Sequence, residues 1–518
     1  MLKNPCDEGV IRAARGPTQP GKSGAGILAA TILGSGLAFI DGTVVNVALP
    51  ALQRDLGATV ADVAWVIEAY ALLLSALLLV GGALGDRFGR RRVYAIGVAI
   101  FASASALCGL APGVGWLIAA RALQGIGAAL LVPGSLAILA ASFPERERGR
   151  AIGTWSGFSA MTTAIGPVLG GWVIDHLSWR WAFFLNLPLA AATLFLLFRY
   201  VPESRDPESA RLDAPGAALA TLGLGGVVYG LIESSQSGWG QARVLGATIG
   251  GLAALVAFVV VEARSGAPML PLGLFRSRTF AGANLLTLGL YAALALLFFL
   301  LPLDLIQVHG YSATAAGAAL LPLILIMFVL SRWSGGLTER FGARVPLIVG
   351  PMVVAGGFAL LARTGAHGSY ATTFLPGIIV LGLGLATSVA PLTTTVMNSV
   401  AVSHAGIASG INNAASRTAG LLAIAAMSGP LVHVFGTEMD RRLAAAHVRP
   451  AIAVEVRAHA SQLANLAPPS AATPEESAAI RDAVAESFVH GFRMLAWSAA
   501  GLALASAAAA AWTIRERR

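Results

Sequence analysis

The sequence predicts an all-α membrane protein built from two related halves. Three observations predict it. First, of 518 residues 56% are hydrophobic and 12% charged, with a mean hydropathy of +0.74, whereas a soluble domain carries about 25% charged residues. Second, apolar runs near the roughly 20 residues needed to cross a bilayer recur along the chain. Third, Gly82-Ala-Leu-Gly-Asp-Arg-Phe-Gly-Arg-Arg-Arg92 returns as Gly335-Gly-Leu-Thr-Glu-Arg-Phe-Gly-Ala-Arg344. Gly82, Leu84, Arg87, Phe88 and Gly89 each recur 253 residues later, with Glu339 at the place of Asp86. A turn repeated at constant distance is the mark of a duplicated membrane unit.

Taken in order, the apolar runs give fourteen spans, at about 25–49, 62–84, 93–112, 115–142, 150–174, 181–201, 214–234, 244–262, 281–303, 314–333, 345–363, 371–395, 406–432 and 491–513. Residues 1–24 form a polar tail, and the first run is an anchor span rather than a signal peptide, because it is long and lacks a cleavage site. Arginines and lysines cluster in alternate connections: the tail, loop 85–92, Arg146–Arg150, Arg199–Arg211, Arg264–Arg278, Arg332–Arg344 and Arg515–Arg518. The short loops opposite hold Arg54, Arg180, Arg243 and Arg363. That bias puts both termini in the cytoplasm.

Between the two copies of the turn lie eight spans where a twelve-span duplication would have six. Spans 7 and 8 are the extra pair, since no motif of either half lies in them. The expected division is a tail at 1–24, a six-helix bundle at 25–201, a linker with two inserted spans at 202–262, a second bundle at 263–513 and a tail at 514–518. A long extracytoplasmic loop at about 433–490 interrupts the second bundle. Within it Thr473-Pro-Glu-Glu476 reads as an N-cap, a first-turn proline and a capping-box glutamate, predicting a short helix in that loop.

The net charge of +9 does not indicate nucleic acid, because the cations sit in loops and form no basic face with interleaved aromatics. Cys6 and Cys108, one in a polar tail and one in a span, predict neither a disulfide nor a metal site, and no cofactor motif is present. Gly16-Pro-Thr-Gln-Pro-Gly-Lys-Ser23 satisfies the phosphate-loop pattern literally, but that loop needs a preceding strand and a soluble helix after it. Two prolines and a membrane span stand there instead, so nucleotide binding is rejected.

Charges inside spans are costly and mark function by default. Asp41 lies roughly 13 Å below the outer face, counting 1.5 Å per residue. Glu68 and Arg121 each lie roughly 9 Å from the same face. Three charges from three helices thus share one depth. Burial opposes ionisation of a carboxylate and a nearby arginine favours it. If Arg121 offsets one acid, the other is left to exchange a proton. The alternatives are a static Asp41–Arg121 pair that holds helices together, and a Glu68 hydrated near the surface. Arg417, roughly 16 Å into span 13, has no acid in its own span. It faces an anionic group across a cavity or neighbouring carbonyls. In span 5, Gly166, Pro167, Gly170 and Gly171 offer close helix approach and a bend.

At these residues the chain resembles the major facilitator superfamily, and within it the fourteen-span drug:proton antiporter branch. The likeness covers nearly all of the chain. The loop motif matches at Gly82, Leu84, Asp86, Arg87, Gly89, Arg90, Arg91 and Arg92. The span 4 motif matches at Arg121, Gln124, Gly125 and Gly127, and the span 5 antiporter motif at Gly166, Pro167, Gly170 and Gly171, with Thr162 where a glycine is usual. The span 1 motif runs from Asp41 through Thr43, Val44, Val45, Asn46, Ala48 and Leu49 to Pro50. Trp179-Arg-Trp181, Phe184, Asn186 and Pro188 are also typical of the branch. The second half departs from the pattern at Glu339 and Ala343, which implies a weaker gate beside Arg340.

The resemblance implies a major facilitator fold, two six-helix bundles around a central cavity with two peripheral spans. It implies proton-coupled export of amphiphilic, cationic drugs by alternating access, with Asp41, Glu68 and Arg121 coupling protons to the cargo. Phe39, Asn46, Trp65, Phe298 and Arg417 would line the cavity, its aromatics giving a cation–π surface. The partners are then a small molecule, protons and the lipid bilayer, and the location a cell (inner) membrane. Nothing in the sequence supports an accessory periplasmic protein. A second reading is a dedicated exporter of one metabolite or self-made antibiotic, with Arg417 receiving an anionic group. A membrane enzyme would need a nucleophile, a base and an orienting group together, and no such set is visible.

Overall fold

The computed structural model describes residues 24–205, 213–266, 268–335, 337–400 and 405–514. The phosphate-loop match at 16–23, Cys6 and the terminal arginines lie outside the described residues. The regular structure there is helical throughout, as chain in hydrocarbon must satisfy its own backbone groups. Fourteen long helices follow the apolar runs: α1 (Gly24–Leu56), α2 (Val60–Phe88), α3 (Arg90–Gly109), α4 (Val114–Ser142), α5 (Glu145–His176), α6 (Asn186–Tyr200), α7 (Ala214–Ser237), α8 (Ala242–Arg264), α9 (Arg278–Leu303), α10 (Leu321–Gly335), α11 (Arg344–Leu361), α12 (Leu375–Asn398), α13 (Ala405–Ala445) and α14 (Pro474–Thr513). Thirteen stretches are long and apolar enough to cross a membrane. The remaining span, α5, is long enough but rich in Gly, Ser and Thr.

Helices α1–α6 pack among themselves, chiefly α2 and α3 on α4 and α5 and α6 on α1. Helices α9–α14 form the second bundle, with α11 on α12 and α14, and α9 on α13 and α14. The inserted α7 and α8 pair with each other, and α7 lies along the seam where α2 meets α13. Leu245, Ile249, Leu252, Val256, Val259 and Val260 of α8 are exposed, as a lipid-facing helix requires.

The expected short helix after Thr473 needs correction. The capping box is there, with Thr473 Oγ1 accepting from Glu476 N at 3.2 Å and Glu476 Oε2 accepting from Thr473 N at 2.9 Å. The helix it starts then runs unbroken to Thr513. No glycine or proline pair stops it before the membrane, so the cap belongs to the last span itself. Helix α13 likewise continues to Ala445. The segment at 433–490 is therefore mainly two helical extensions, joined through a short helix Pro450–Ala458 and a 3₁₀ turn Ala460–Asn465.

That 3₁₀ turn sits where the halves meet. Gln53, near the end of α1, donates to the Gln462 carbonyl at 3.1 Å, and Gln307 donates to Gln53 Oε1 at 3.0 Å. Beyond α9 a π-helical turn, Asp304–Val308, leads to His309. The ring nitrogens of His309 both meet acceptors: Nδ1 lies 3.3 Å from an Asp304 carboxylate oxygen and Nε2 3.1 Å from the Gly365 carbonyl. Burial works against the imidazolium, and the Asp304 carboxylate with the carbonyls of Asp304 and Gly365 outweighs it, so the His309 pKa stands above its ordinary value. A raised folded-state value stabilises the fold below the unfolded value of 6.5 and loses that contribution as pH rises through the folded value. Wild type should therefore melt higher at about pH 6 than at about pH 8, and His309→Gln should flatten that difference in thermal-unfolding scans of the purified protein.

Candidate functional site: a charged cavity between the halves

Asp41 and Arg121 are each 1% exposed and make a direct ion pair, Arg121 Nη1 to Asp41 Oδ2, at 2.5 Å. Three more groups complete it. Gln124 donates to Asp41 Oδ1 at 2.8 Å and accepts from Arg121 Nη1 at 2.7 Å. Asn186 of α6 donates to the same Asp41 oxygen at 3.1 Å and to Ser105 of α3 at 2.9 Å. Arg121 Nε donates to the Val66 carbonyl at 3.0 Å. Its guanidinium stacks over the Tyr70 ring at 4.3 Å. Five helices of the first bundle, α1, α2, α3, α4 and α6, thus meet at one buried polar knot.

Glu68 is in a different position. It is fully buried, and both its carboxylate oxygens lack a partner. It lines a cavity of about 270 Å³ between the halves, with Asn46, Tyr70 and Arg121 on one wall and Tyr291, Phe298, Ser416 and Arg417 on the other. Asp41 is behind that wall rather than on it. The sequence expects the three charges at one depth; the structure divides them, with Arg121 spent on Asp41 and Glu68 without a partner among the described residues.

Two of the expected lining residues are corrected. Phe39 and Trp65 are outside the cavity lining. Trp65 turns to Tyr229 of the inserted α7, with ring centroids 6.1 Å apart, because the seam there is apolar and α7 covers it. Asn46, Phe298 and Arg417 do line the cavity. Tyr70 and Tyr291 were not anticipated; a tyrosine in an apolar run carries no periodic signal that separates cavity from core.

The span 5 motif lies between two neighbours. A Cβ on Gly166 would collide with Thr43, and one on Gly170 with Val44, both on α1. A Cβ on Gly171 would strike the Ala313 carbonyl of the other half, and one on Gly317 the Pro167 carbonyl. Asp175 finishes this contact by accepting from the backbone N–H groups of Ala313 and Thr314 at 2.9 and 2.8 Å. Contacts of α5 with the second half concentrate on the turn Ala313–Ala318, and α10 touches it little. The halves are held together at the Asp175 end, and on the way to the arginine-rich end α2 and α13 still approach each other, with Leu79 beside Gly410.

At that end, Gly82 lies beside Pro133, Asp86 pairs with Arg90 at 2.8 Å, and Arg87 stands over the Phe88 ring at 5.4 Å. Gly89 turns the chain at φ 110°, and its counterpart Gly342 does so at φ 70°, a region that favours glycine. Glu203 was not anticipated here. Its carboxylate accepts from the backbone N–H groups of Arg91 and Arg92 at 3.0 and 3.1 Å, at the start of α3, where helix N–H groups lack partners. All these contacts stay within the first half. Arg340 is exposed, and the side chain of Glu339 lies outside the described residues.

The profile of the Major Facilitator Superfamily matches residues 31–424. The chain is 37% identical over 388 residues to multidrug resistance protein Stp of Mycobacterium tuberculosis, covering 75% of this chain and 72% of that one. It is 34% identical over 496 residues to the tetracenomycin C resistance and export protein of Streptomyces glaucescens, covering 94% and 91%. Its fold is similar to a bacterial homolog of the human lysosomal transporter Spinster in an inward-facing, unoccupied conformation, with a TM-score of 0.62 at 18% identity over 95% of this chain and 98% of that one.

Removing one member of a buried ion pair strands the other charge and costs about 3–5 kcal/mol. Asp41→Asn and Arg121→Gln should each lower the melting temperature of the purified protein markedly. The double variant should lose less than the sum.

Proposed function

The chain belongs to the Major Facilitator Superfamily, and from that premise we propose that it exports amphiphilic, cationic compounds against a proton gradient through the cavity between its halves. It is a multi-pass membrane transporter rather than an enzyme. Relatives named for multidrug resistance and for antibiotic resistance and export support efflux as the direction. The arginine bias supports a cell-membrane topology with both termini in the cytoplasm, so the arginine-rich end faces the cytoplasm.

The observation that carries this reading is Glu68, a buried carboxyl with no partner on the wall of the cavity. An unpaired carboxylate in a low-dielectric site costs several kcal/mol. Its charge is tolerated only when a ligand cation, a proton or water meets it. A cation and a proton therefore compete for one group. In the cytoplasm-facing state Glu68 receives the cation, with the Tyr70, Tyr291 and Phe298 rings beside it. Once the Asp175 contact opens and the cytoplasmic end closes, external protons displace the cargo. The ligand shifts this equilibrium only through unequal affinity for the two states. Asp41, held by Arg121, Gln124 and Asn186, keeps the wall in register and links α1 to the site.

A second reading keeps the path and narrows the cargo to one metabolite or self-made antibiotic. The cavity volume of about 270 Å³ favours it, lying below the roughly 300–1,000 Å³ of ordinary ligand pockets. A binding screen separates the two, since a dedicated exporter answers one compound and ignores lipophilic cations.

In inverted membrane vesicles with an acidified lumen, wild type should accumulate ethidium. Glu68→Gln should reduce the pH-driven rate by about tenfold or more, and Asp41→Asn should reduce it per folded molecule. Undiminished pH-driven uptake in both variants ends the proposal.

A further inference from the structure

Arg417 is a second unanswered charge on the cavity lining, beside Glu68, among the described residues. Its Nε is buried without a partner, and its guanidinium makes no hydrogen bond or ion pair among the described residues. Glu68 and the Tyr70 hydroxyl, on the opposite wall, are equally without partners. Glu68 comes from α2 of the first half and Arg417 from α13 of the second, so the cavity has an anionic wall and a cationic wall, with Tyr291 and Phe298 lining the space as well. The two charges do not neutralise each other directly: no ion pair joins them among the described residues.

Unmatched charges of opposite sign in one chamber call for a ligand that carries both complements. A purely cationic ligand satisfies Glu68 but leaves the guanidinium unanswered, so it is carried yet held more weakly than a ligand that meets both charges. An anionic ligand fails in the mirror sense. We infer that the cargo of this cavity is amphoteric: a compact aromatic compound bearing a protonated amine or amidine-like group for Glu68 and a carboxylate or phenolate for Arg417. The guanidinium fork suits a planar carboxylate, which it binds through two parallel N–H groups. This inference rests on the export reading of the same cavity and narrows its substrate class. Arg417 is then a specificity-determining residue, and Arg417→Lys is not a neutral exchange.

The matched dyes rhodamine 110, which carries a free carboxylate, and rhodamine 123, its methyl ester, test this in the full-length purified protein. Both share one cationic xanthene fluorophore, rhodamine 110 being a zwitterion and rhodamine 123 a cation, so polarisation reports binding of each. Wild type should bind rhodamine 110 about tenfold tighter than rhodamine 123, the worth of one charge-assisted hydrogen-bond pair. Arg417→Gln should bring the ratio close to one, and Arg417→Lys should retain part of it. A wild-type ratio near one, binding of neither dye, or a ratio unchanged in Arg417→Gln overturns the inference. An Arg417→Gln protein that does not fold is replaced by the lysine variant and by a pH series on wild type, in which the preference must disappear as the dye carboxylate is protonated; a preference that survives that protonation also overturns it. The ethidium experiment stands apart from these outcomes: pH-driven ethidium uptake without a rhodamine preference keeps the export reading and removes the amphoteric one.

Discussion

Inside a bilayer an ionised side chain must find a counter-charge, a dipole or water, and the first half of this protein is assembled around the place where that demand is met in full. Arg121 and Asp41 neutralise each other, Gln124, Asn186 and the Val66 carbonyl add hydrogen bonds to them, and Ser105 in turn accepts from Asn186. The knot fixes the relative positions of five helices that hydrophobic contact alone would leave free to slide, since lipid is as apolar as the helix faces. It also uses up Arg121, the cation that lines the cavity on Glu68's side among the described residues. The isolation of Glu68 is thus a consequence of how well Asp41 is satisfied.

Much of the fold was legible because the bilayer leaves little choice. Hydrophobic length set the helices, and the Gly82 and Gly335 turns announced the duplication, which reappears as the left-handed Gly89 and Gly342. The depth of Asp41, Glu68 and Arg121 followed from counting residues. Which of them touch did not follow, because depth along a helix says nothing about rotation around it. Trp65 shows the limit: its neighbour is Tyr229 on an inserted helix, and nothing in the local sequence reports on a partner so distant in the chain. Glu203 was hidden for the same reason, capping α3 from more than a hundred residues away. Thr473-Pro-Glu-Glu476 was read correctly as a cap and wrongly as a short helix, since a start signal does not encode where a helix stops.

The contacts between halves are uneven in kind. At the Asp175 end they are backbone against backbone, through Gly171, Gly317 and the Asp175 carboxylate. At the arginine-rich end the described charges are answered within their own half. Separating the first set breaks several short contacts together, whereas the second offers exposed charges ready for new partners.

Helix α14 runs 40 residues without a break from the membrane into the outer segment, a rod of about 60 Å at 1.5 Å per residue. A rod of that length behaves as a shaft fixed to the second bundle, and its outer end must sweep whenever that bundle rocks. A molecule that grips that outer end and also rests on the first bundle would stall the machine from outside, without entering the chamber or competing with its cargo.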